Sequence, residues 1–406
     1  MVDMQSSSFH LPRPKAARIF IFITAALDVI SLGIVMPVLP KLIELFAADP
    51  ADAGWLNGVF VALWALMQFF ASPVLGALSD RFGRRPVILI STAGLAFDYV
   101  LMALAPNLAW LVVGRILGGL TSANFGAVYA YMADITPPAQ RARAFGLIGA
   151  AFSAGFILGP LIGGLAGEWG LRAPFWVAAM LSALAFAYGL FVLPESLPVE
   201  RRMPFTWQRA NPLGALRLLR SHPQLPRLAG INFVLTFCHY VYHAVFVLYA
   251  GHRYGFSTAG VGMLLALTSV FDVFVQAWLV GRCVAAYGDE RVLRFGLFAG
   301  VAGLIGMGVA ETSSVFVVSL CATTLWGMTV PTLQSLMSHK VSESEQGQLQ
   351  GANMSIAAIA GVGAPLVFGG VYTWAMASSM GVAMLGAPFI LAAALLLISA
   401  ALAWRV

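Results

Sequence analysis

The chain has 406 residues, of which 60% are apolar and only 10% are charged. Soluble domains carry about 25% charged residues because their surface must be hydrated, whereas a surface that faces lipid needs none. The composition therefore excludes a soluble domain and predicts a membrane protein. The net charge of +6 does not indicate nucleic-acid binding, because the basic residues lie in short connecting loops and form no basic face.

Twelve apolar stretches reach the length of about 20 residues that a helix needs to cross the hydrocarbon core. The predicted helices cover approximately residues 17–39, 53–75, 87–105, 109–133, 144–166, 174–194, 228–250, 258–281, 295–311, 314–338, 349–372 and 378–404. We predict an all-α membrane protein of two six-helix bundles, as in duplicated transporters. The predicted parts are an N-terminal tail (1–16), a first bundle (17–196), a linker (197–226) and a second bundle (227–406).

The distribution of basic residues predicts the orientation of the chain. If the N-terminus is inside, 19 of the 23 lysines and arginines lie on the cytoplasmic side, and only Lys41, Arg172 and Arg253 lie outside. This asymmetry predicts that both termini are cytoplasmic. The first apolar run, from about Ile19 to Leu39, lacks a small-residue cleavage pattern, so we expect a retained helix. In the linker, Leu213–Leu219 alternates apolar and basic residues, which predicts a helix on the membrane surface.

Four acidic or basic residues lie deep inside the predicted apolar helices, besides two histidines of the seventh helix. A charge there costs at least ~2.5–3.5 kcal/mol and so indicates a function. Asp28, Asp98 and Arg115 belong to the first half. Arg115 can neutralise one carboxylate while the other carries protons, or the three can form a static ion pair that locks the bundle; both readings stay open. Asp272 stands alone in the second half and suits either a proton carrier or a counter-ion for a cationic substrate.

The seventh helix carries two histidines, His239 and His243, at the i, i+4 spacing of metal ligands. The sequence offers no third ligand and no intervening glutamate of the zinc-protease type, so we expect no metal site. A proton relay, a substrate contact and ordinary packing remain the alternatives. Cys238, Cys283 and Cys321 have neither metal-ligand nor redox-pair spacing, and we interpret them as small apolar residues.

Three longer strings identify a family that the chain resembles. Gly76–Pro86 (GALSDRFGRRP) is similar to the loop signature of the major facilitator superfamily, and Gly155–Gly164 (GFILGPLIGG) is similar to its antiporter signature. Leu27–Pro40 (LDVISLGIVMPVLP) resembles the first helix of drug/proton antiporters of the tetracycline-resistance type. Further similarities to that group are Gln68, Asp98 with Tyr99, and Arg115 within GRILGGLT.

The resemblance implies the major facilitator fold and alternating access, in which the two halves rock and proton influx drives drug out. It implies that Asp80, Arg84 and Arg85 form a cytoplasmic latch, held by a helix dipole. The candidate proton-coupling residues are Asp28, Asp98, Arg115 and Asp272. The candidate substrate-binding residues are Gln68, Asp98, His239, His243, Asp272 and Gln276. The candidate gating residues are Asp80, Arg84, Arg85, Gly155, Gly159 and Pro160.

The second half departs from the family pattern. Tetracycline exporters have a histidine in the eighth helix where this chain has Asp272, and an aspartate in the ninth helix where we align Gly300. The ninth helix here, Phe295 to Ala310, contains no acid. Either Asp272 has taken over the coupling role, with or without His239 and His243, or coupling depends on the carboxylates of the first half.

We therefore predict proton-coupled efflux of amphiphilic drugs, tetracycline-like or another antibiotic, across the bacterial inner membrane. The coupling ion is the proton, no cofactor is expected, and a divalent metal enters only as part of a tetracycline chelate. The expected partners are the drug and membrane lipid, and the expected state is a monomer. The alternative is a symporter or uniporter for a native metabolite or nutrient. An enzyme is not expected, because no hydrolase or protease motif appears.

Overall fold

The computed structural model describes residues 14–122, 125–137, 140–205, 218–219, 222–342, 345–378 and 381–404. Within these residues the secondary structure is helical, without a strand. Twelve helices in the described part are long and apolar enough to cross a membrane. The predicted all-α fold with twelve membrane helices is confirmed. Most of the predicted surface helix Leu213–Leu219 lies outside the described residues.

We number the membrane helices α1 to α12 in chain order. The first half contains α1 (Pro14–Val35, followed by the short helix Leu39–Phe46), α2 (Ala53–Phe82), α3 (Arg84–Leu104), α4 (Leu108–Thr121 and Phe125–Asp134), α5 (Arg141–Gly167) and α6 (Ala173–Val192). The second half contains α7 (Leu225–Tyr254), α8 (Thr258–Phe274, Val275–Leu279 and Val280–Tyr287), α9 (Asp289–Val309), α10 (Ser313–Thr323, Thr324–Met328 and Thr329–Ser338), α11 (Gln346–Ala377) and α12 (Ala387–Ala403).

Several helices extend beyond the predicted apolar stretches. Helix α2 continues to Phe82 and α8 to Tyr287, several residues past the predicted ends. The backbone hydrogen bonds of a helix continue into the polar headgroup region, so the end of the apolar run marks the hydrocarbon boundary and not the helix terminus. In the second half, α8 contains a π-helical turn at Val275–Leu279 and α10 contains a 3₁₀ segment at Thr324–Met328.

Each half is held together by its own helix pairs. In the first half α1 packs on α5 and α6, while α3 packs on α4 and α6; in the second half α7 packs on α11 and α12, and α9 on α10 and α12. The halves are joined chiefly by α2 with α11 and by α5 with α8, and also by α2 with α7. The antiporter-like string on α5 therefore lies where an intra-half contact and an inter-half contact meet.

Glycine allows the backbones of α5 and its two neighbours to approach closely. A Cβ atom added to Gly159 would lie 2.7 Å from the Cα atom of Gly33, and one added to Gly155 would lie 2.6 Å from Val29, both on α1. A Cβ atom on Gly164 would lie 3.0 Å from the Cα atom of Gly262 on α8. The i, i+4 rows of the string therefore form two faces, one towards α1 and one towards α8.

Of the three candidate gating residues on α5, two lie inside the first half. Gly155 and Gly159 contact α1. Pro160 contacts both neighbours, since its ring faces Gly33 of α1 and its carbonyl oxygen faces Gly262 of α8. Among these three positions, Pro160 is the one that touches the opposite half.

The contacts between the halves cluster towards one end of the molecule. On α2 and α11 they join Gly54 with Gly369 and Gly58 with Pro365, and the Nδ2 atom of Asn57 donates to the carbonyl oxygen of Ala244 at 2.6 Å. We call this end, where α1 joins α2 and α7 joins α8, the outer end. The structure is closed there.

The α5–α8 contact can be tested with Gly164→Ala. The new methyl group would lie 2.6 Å from the carbonyl oxygen of Thr258, so two backbones must move apart, which typically costs about 1–3 kcal/mol. We expect a melting temperature several degrees lower for the purified protein in detergent. Gly149→Ala on the same helix is the matched control, because nothing lies within 4 Å of its added Cβ atom. Equal melting temperatures of the two variants would contradict the proposed packing.

Candidate functional site

Asp28, Asp98 and Arg115 come together in the first half, although they lie on three different helices. All three are buried and line a cavity of about 10 Å³, which is close to the space that one water molecule needs. The other residues that line this cavity are Leu32, Trp64, Leu95, Tyr99, Gly118, Ser122 and Phe125. The three intramembrane charges of the first half therefore form one polar centre.

The carboxylate of Asp98 fits against two glycines of α4. A Cβ atom on Gly114 would lie 2.9 Å from its Oδ1 atom, and one on Gly118 would lie 2.5 Å from its Oδ2 atom. Both oxygens are buried, and neither accepts a hydrogen bond from the described residues. Arg115 is adjacent, but no N–O distance of 4 Å or less joins it to Asp98; its guanidinium lies 3.5 Å from the sulfur of Met102. A static Asp98–Arg115 ion pair is therefore absent from this structure.

Gln68 lies on α2 one helical turn after Trp64, a residue of the cavity wall. Its side chain is half-buried, and it is not among the residues that line the cavity around Asp98. Trp64 itself was not a candidate from the sequence. The i, i+4 spacing from Gln68 to Trp64 is the signal that identifies it as a neighbour of the site.

The second polar centre lies where α8 and α10 both depart from regular helix. A Cβ atom added to Gly327, in the 3₁₀ segment of α10, would lie 3.3 Å from the Oδ1 atom of Asp272 and 3.9 Å from the Nε2 atom of Gln276. Gln276 lies within the π-helical turn that follows Asp272. Such turns occur frequently at functional sites because they re-aim side chains. Asp272 and Gln276 therefore face the same point on α10.

Aromatic rings surround this second centre. The ring of His239 on α7 lies 5.7 Å from Trp326 and 5.6 Å from Tyr242, between centroids, and the hydroxyl of Tyr242 donates to Thr323 at 2.9 Å. The side chain of His239 is exposed beside these rings. Trp326 and Tyr242 were not predicted, because aromatic residues are common throughout apolar helices.

His243 takes part in a different contact. Its ring lies 5.9 Å from His239 and 5.3 Å from Tyr240. Its carbonyl oxygen accepts a hydrogen bond from the Nδ2 atom of Asn57 at 3.2 Å, across the interface between the halves. The two histidines are thus neighbours, as their spacing predicts, but His243 lies at the interface and His239 at the aromatic centre.

The candidate latch residues form a network at the end opposite the outer end. Arg84 forms an ion pair with Asp80 and donates a hydrogen bond to the hydroxyl of Ser79 at 2.6 Å. It also forms an ion pair, at 3.3 Å, with Asp134 at the end of α4. Arg85 donates to the carbonyl oxygen of Leu190 on α6 at 2.9 Å. These contacts connect α2, α3, α4 and α6 within the first half.

Glu195, directly after α6, is the centre of this network and was not a candidate from the sequence. Its carboxylate accepts the backbone N–H groups of Arg84 at 2.9 Å and Arg85 at 3.3 Å, the first residues of α3. It therefore caps α3 from a position 111 residues away, which satisfies N–H groups that a helix N-terminus leaves free. Gly83 has φ +107°, and an added Cβ atom there would collide with Glu195. The sequence signal that could have identified Glu195 is its position as an acidic residue directly after the apolar run of α6.

Comparison with known proteins gives consistent results. The family model of the Major Facilitator Superfamily matches residues 21–365. The tetracycline resistance protein, class C, of Escherichia coli is 36% identical over 356 residues, which cover 88% of this chain and 89% of the relative. Multidrug resistance protein 2 of Bacillus subtilis (strain 168) is 28% identical over 84% of each chain. The crystal structure of the human organic anion transporter MFSD10 (TETRAN) has a TM-score of 0.69 at 25% identity and covers 97% of this chain and 100% of that one.

The cap on α3 can be tested with Glu195→Ala. Loss of the acceptor leaves the first N–H groups of α3 without their side-chain partner, and removal of such caps typically costs about 1–2 kcal/mol. We expect a lower melting temperature and faster proteolysis near residue 83. Glu200→Ala is the control, because Glu200 is exposed in the same connection. A melting temperature for Glu195→Ala that equals that of the control would refute the capping role.

Proposed function

Because the chain belongs to the Major Facilitator Superfamily, we propose that it exports amphiphilic drugs across the cytoplasmic membrane in exchange for protons, by alternating access between its two halves. It is a multi-pass membrane transporter and not an enzyme. Its similarity to tetracycline and multidrug resistance proteins supports drug efflux. In this proposal both termini lie in the cytoplasm of a bacterial cell, so the closed outer end faces away from the cytoplasm.

The observation that carries this proposal is the separation of two polar centres, one in each half. Asp98, with Asp28 and Arg115, lines a cavity of about 10 Å³, which is too small for a drug. Asp272 faces Gly327 together with the exposed Gln276, and the exposed His239 lies against Trp326, the neighbour of Gly327. The first centre is thus suited to a proton, and the second to a larger substrate.

In the proton-carrying role, Asp98 alternates between two states. An ionised carboxylate without hydrogen-bond donors is costly in apolar surroundings, and a neutral carboxyl is much less so. Arg115 can stabilise the ionised form if the cavity rearranges and brings the two groups together. Asp28, buried on the wall of the same cavity, belongs to the same relay.

In the substrate-binding role, Asp272 and Gln276 supply the polar contacts, while His239, Tyr242 and Trp326 supply aromatic faces. A carboxylate beside aromatic rings attracts organic cations through charge and through the ring quadrupoles. An amphiphilic drug with a positive group therefore fits this centre better than an anion. Gln68, half-buried on α2, and His243, at the interface between the halves, complete the proposed set.

The departure at Gly300 leaves the apolar stretch of α9 without an acid, so the carboxylates available within the apolar stretches are those of the first half and Asp272. A Cβ atom at Gly300 would lie 2.8 Å from the side chain of Leu396 and 2.9 Å from the ring of Trp326, so an aspartate there would require these side chains to move. The face of α9 that carries Gly300 packs against α10 and α12. The same departure favours, as a second candidate, the transport of a native metabolite by the same pathway.

The function can be tested by drug-driven proton release from everted membrane vesicles that contain the protein. Tetracycline, chloramphenicol and a lipophilic cation are compared, each with Asp98→Asn and Asp272→Asn. We expect proton release with at least one compound, and its loss in Asp98→Asn because an amide carries no proton. If Asp272 binds the cationic group, Asp272→Asn abolishes release with the cation and preserves it with neutral chloramphenicol. Silence with all three compounds would contradict drug efflux and favour the metabolite transporter.

The fit of Asp98 against α4 provides an independent test. Gly118→Ala places a methyl group 2.5 Å from the Oδ2 atom and so displaces the carboxylate without removing it. We expect drug-driven proton release to fall about tenfold or more, as in Asp98→Asn, and the double variant to be no worse than either single one. Gly126→Ala, where nothing lies within 4 Å, is the control on the same helix. Full activity of Gly118→Ala would refute the proton-carrying role of this position.

A further inference from the structure

We propose that three charged residues of the first half, Lys41, Glu44 and Glu168, clamp the connection between α7 and α8 and act as the outer gate. The clamped connection comprises residues 252–259. This inference rests on alternating access, which belongs to the proposed function. The gate is closed in this structure, and we infer that the clamp must release before the outer end opens.

The first contact joins Glu44 to His252. The Nε2 atom of His252 lies 2.7 Å from the Oε1 atom of Glu44, and its Nδ1 atom lies 2.9 Å from the hydroxyl of Tyr372 on α11. A carboxylate can only accept, so the Nε2–H group is the donor to Glu44, while the tyrosine hydroxyl can donate to or accept from Nδ1. Both ring nitrogens are satisfied, which fixes the ring between α1 and α11.

The second contact joins Glu168, directly after α5, to the first turn of α8. Its Oε1 atom accepts the backbone N–H group of Ala259 at 2.9 Å and the hydroxyl of Thr258 at 2.8 Å. The N-terminus of a helix of this length also attracts a negative charge through its dipole. These hydrogen bonds, chiefly the one from Ala259, lower the pKa of Glu168, and the positive charge of Lys41 acts in the same direction.

Lys41 lies between the two contacts. Its Nζ atom donates to the carbonyl oxygen of Phe256 at 3.4 Å, and its charge is attracted by both Glu168 and Glu44. The α7–α8 connection is therefore held on one side by Glu44, on the other by Glu168, and in the middle by Lys41. All three come from the first half, and the residues that they hold come from the second.

The short α7–α8 connection couples the movements of the two helices that it joins. Only residues 255–257 separate α7 from α8, and Gly255, with φ +71°, allows the sharp turn. The ends of α7 and α8 must therefore move together. The same two helices carry His239 and Asp272 of the aromatic centre, so release of the clamp at the outer end also shifts the proposed substrate site. Contacts of partly exposed charged side chains are individually weak, as a gate that opens in every cycle requires.

The gate can be tested with a buried cysteine as reporter of outer opening. Ala53, at the start of α2, is fully buried in one apolar cluster with Tyr372 of the second half. Ala53→Cys is introduced into the full chain after Cys238, Cys283 and Cys321 have been replaced by serine. Its reaction rate with a membrane-impermeant maleimide, in purified protein in nanodiscs, measures how often the outer end opens.

We expect His252→Ala, Glu44→Gln and Glu168→Ala each to raise this rate about fivefold, the population change that ~1 kcal/mol produces. His252→Gln should restore most of the closure, because an amide offers one donor and one acceptor to the same partners. Glu311→Gln is the matched control, because Glu311 is an exposed acid in the α9–α10 connection at the same end. The proposal is overturned if the clamp variants react at the parent rate, or if Glu311→Gln reacts as fast as they do.

Lowering the pH provides a second test of the outer gate. Since the closed state lowers the pKa of Glu168, its ionised form stabilises closure, and this stabilisation is lost as the pH falls through the lowered pKa. The distance between spin labels at the exposed Asp52 and Ser314 should therefore lengthen at pH values below the ordinary carboxyl range, and Glu168→Ala should remove the part of this change that Glu168 causes. An unchanged acid response in Glu168→Ala would contradict the contact with α8.

If Ala53→Cys disturbs folding, spin labels at Asp52 and Ser314 provide the same information. Both residues are exposed at the outer end, one in each half. The distance between the labels should lengthen in the clamp variants and stay unchanged in Glu311→Gln. Neither measurement needs a drug or a proton gradient, so a failure of the drug-efflux proposal would leave this result interpretable by itself.

Discussion

Hydrocarbon offers no hydrogen-bond partner, so a polar group within a membrane helix must find its partner in the protein or serve a function. In this chain the backbone is satisfied by twelve helices, and few charged side chains remain among them. Those that remain are gathered: Asp28, Asp98 and Arg115 around one small cavity, and Asp272 at a second centre. The division of polar groups between the two halves follows from this constraint.

Close backbone approach is the second condition of the architecture. Without a hydrophobic driving force between helices in lipid, van der Waals contact between small residues holds them together. Helix α5 makes such contact on two faces, towards α1 through Gly155 and Gly159 and towards α8 through Gly164. One face is internal to a half and the other joins the halves. A single helix thus links the stability of the first bundle to the position of the second.

The same helix pair connects the outer gate with the proposed substrate site. Glu168 holds the first turn of α8, and the hydroxyl of Ser269, further along α8, donates to the carbonyl oxygen of Phe156 on α5 at 3.1 Å. Asp272 lies about one turn beyond Ser269, where the π-helical turn of α8 begins. A change in the contact between α5 and α8 is therefore transmitted to the carboxylate of Asp272, because α8 is a continuous helix between the two points.

The sequence alone determined the number and approximate position of the membrane helices, and it singled out the four ionisable residues within them. Hydrophobic length and the cost of a buried charge are local properties, so they can be read from a window of about 20 residues. The tertiary structure decided which distant residues meet. Glu44 and His252 are 208 positions apart, and Glu195 caps a helix 111 positions earlier. Such partners depend on which helices pack together, and nothing in their local sequence specifies that.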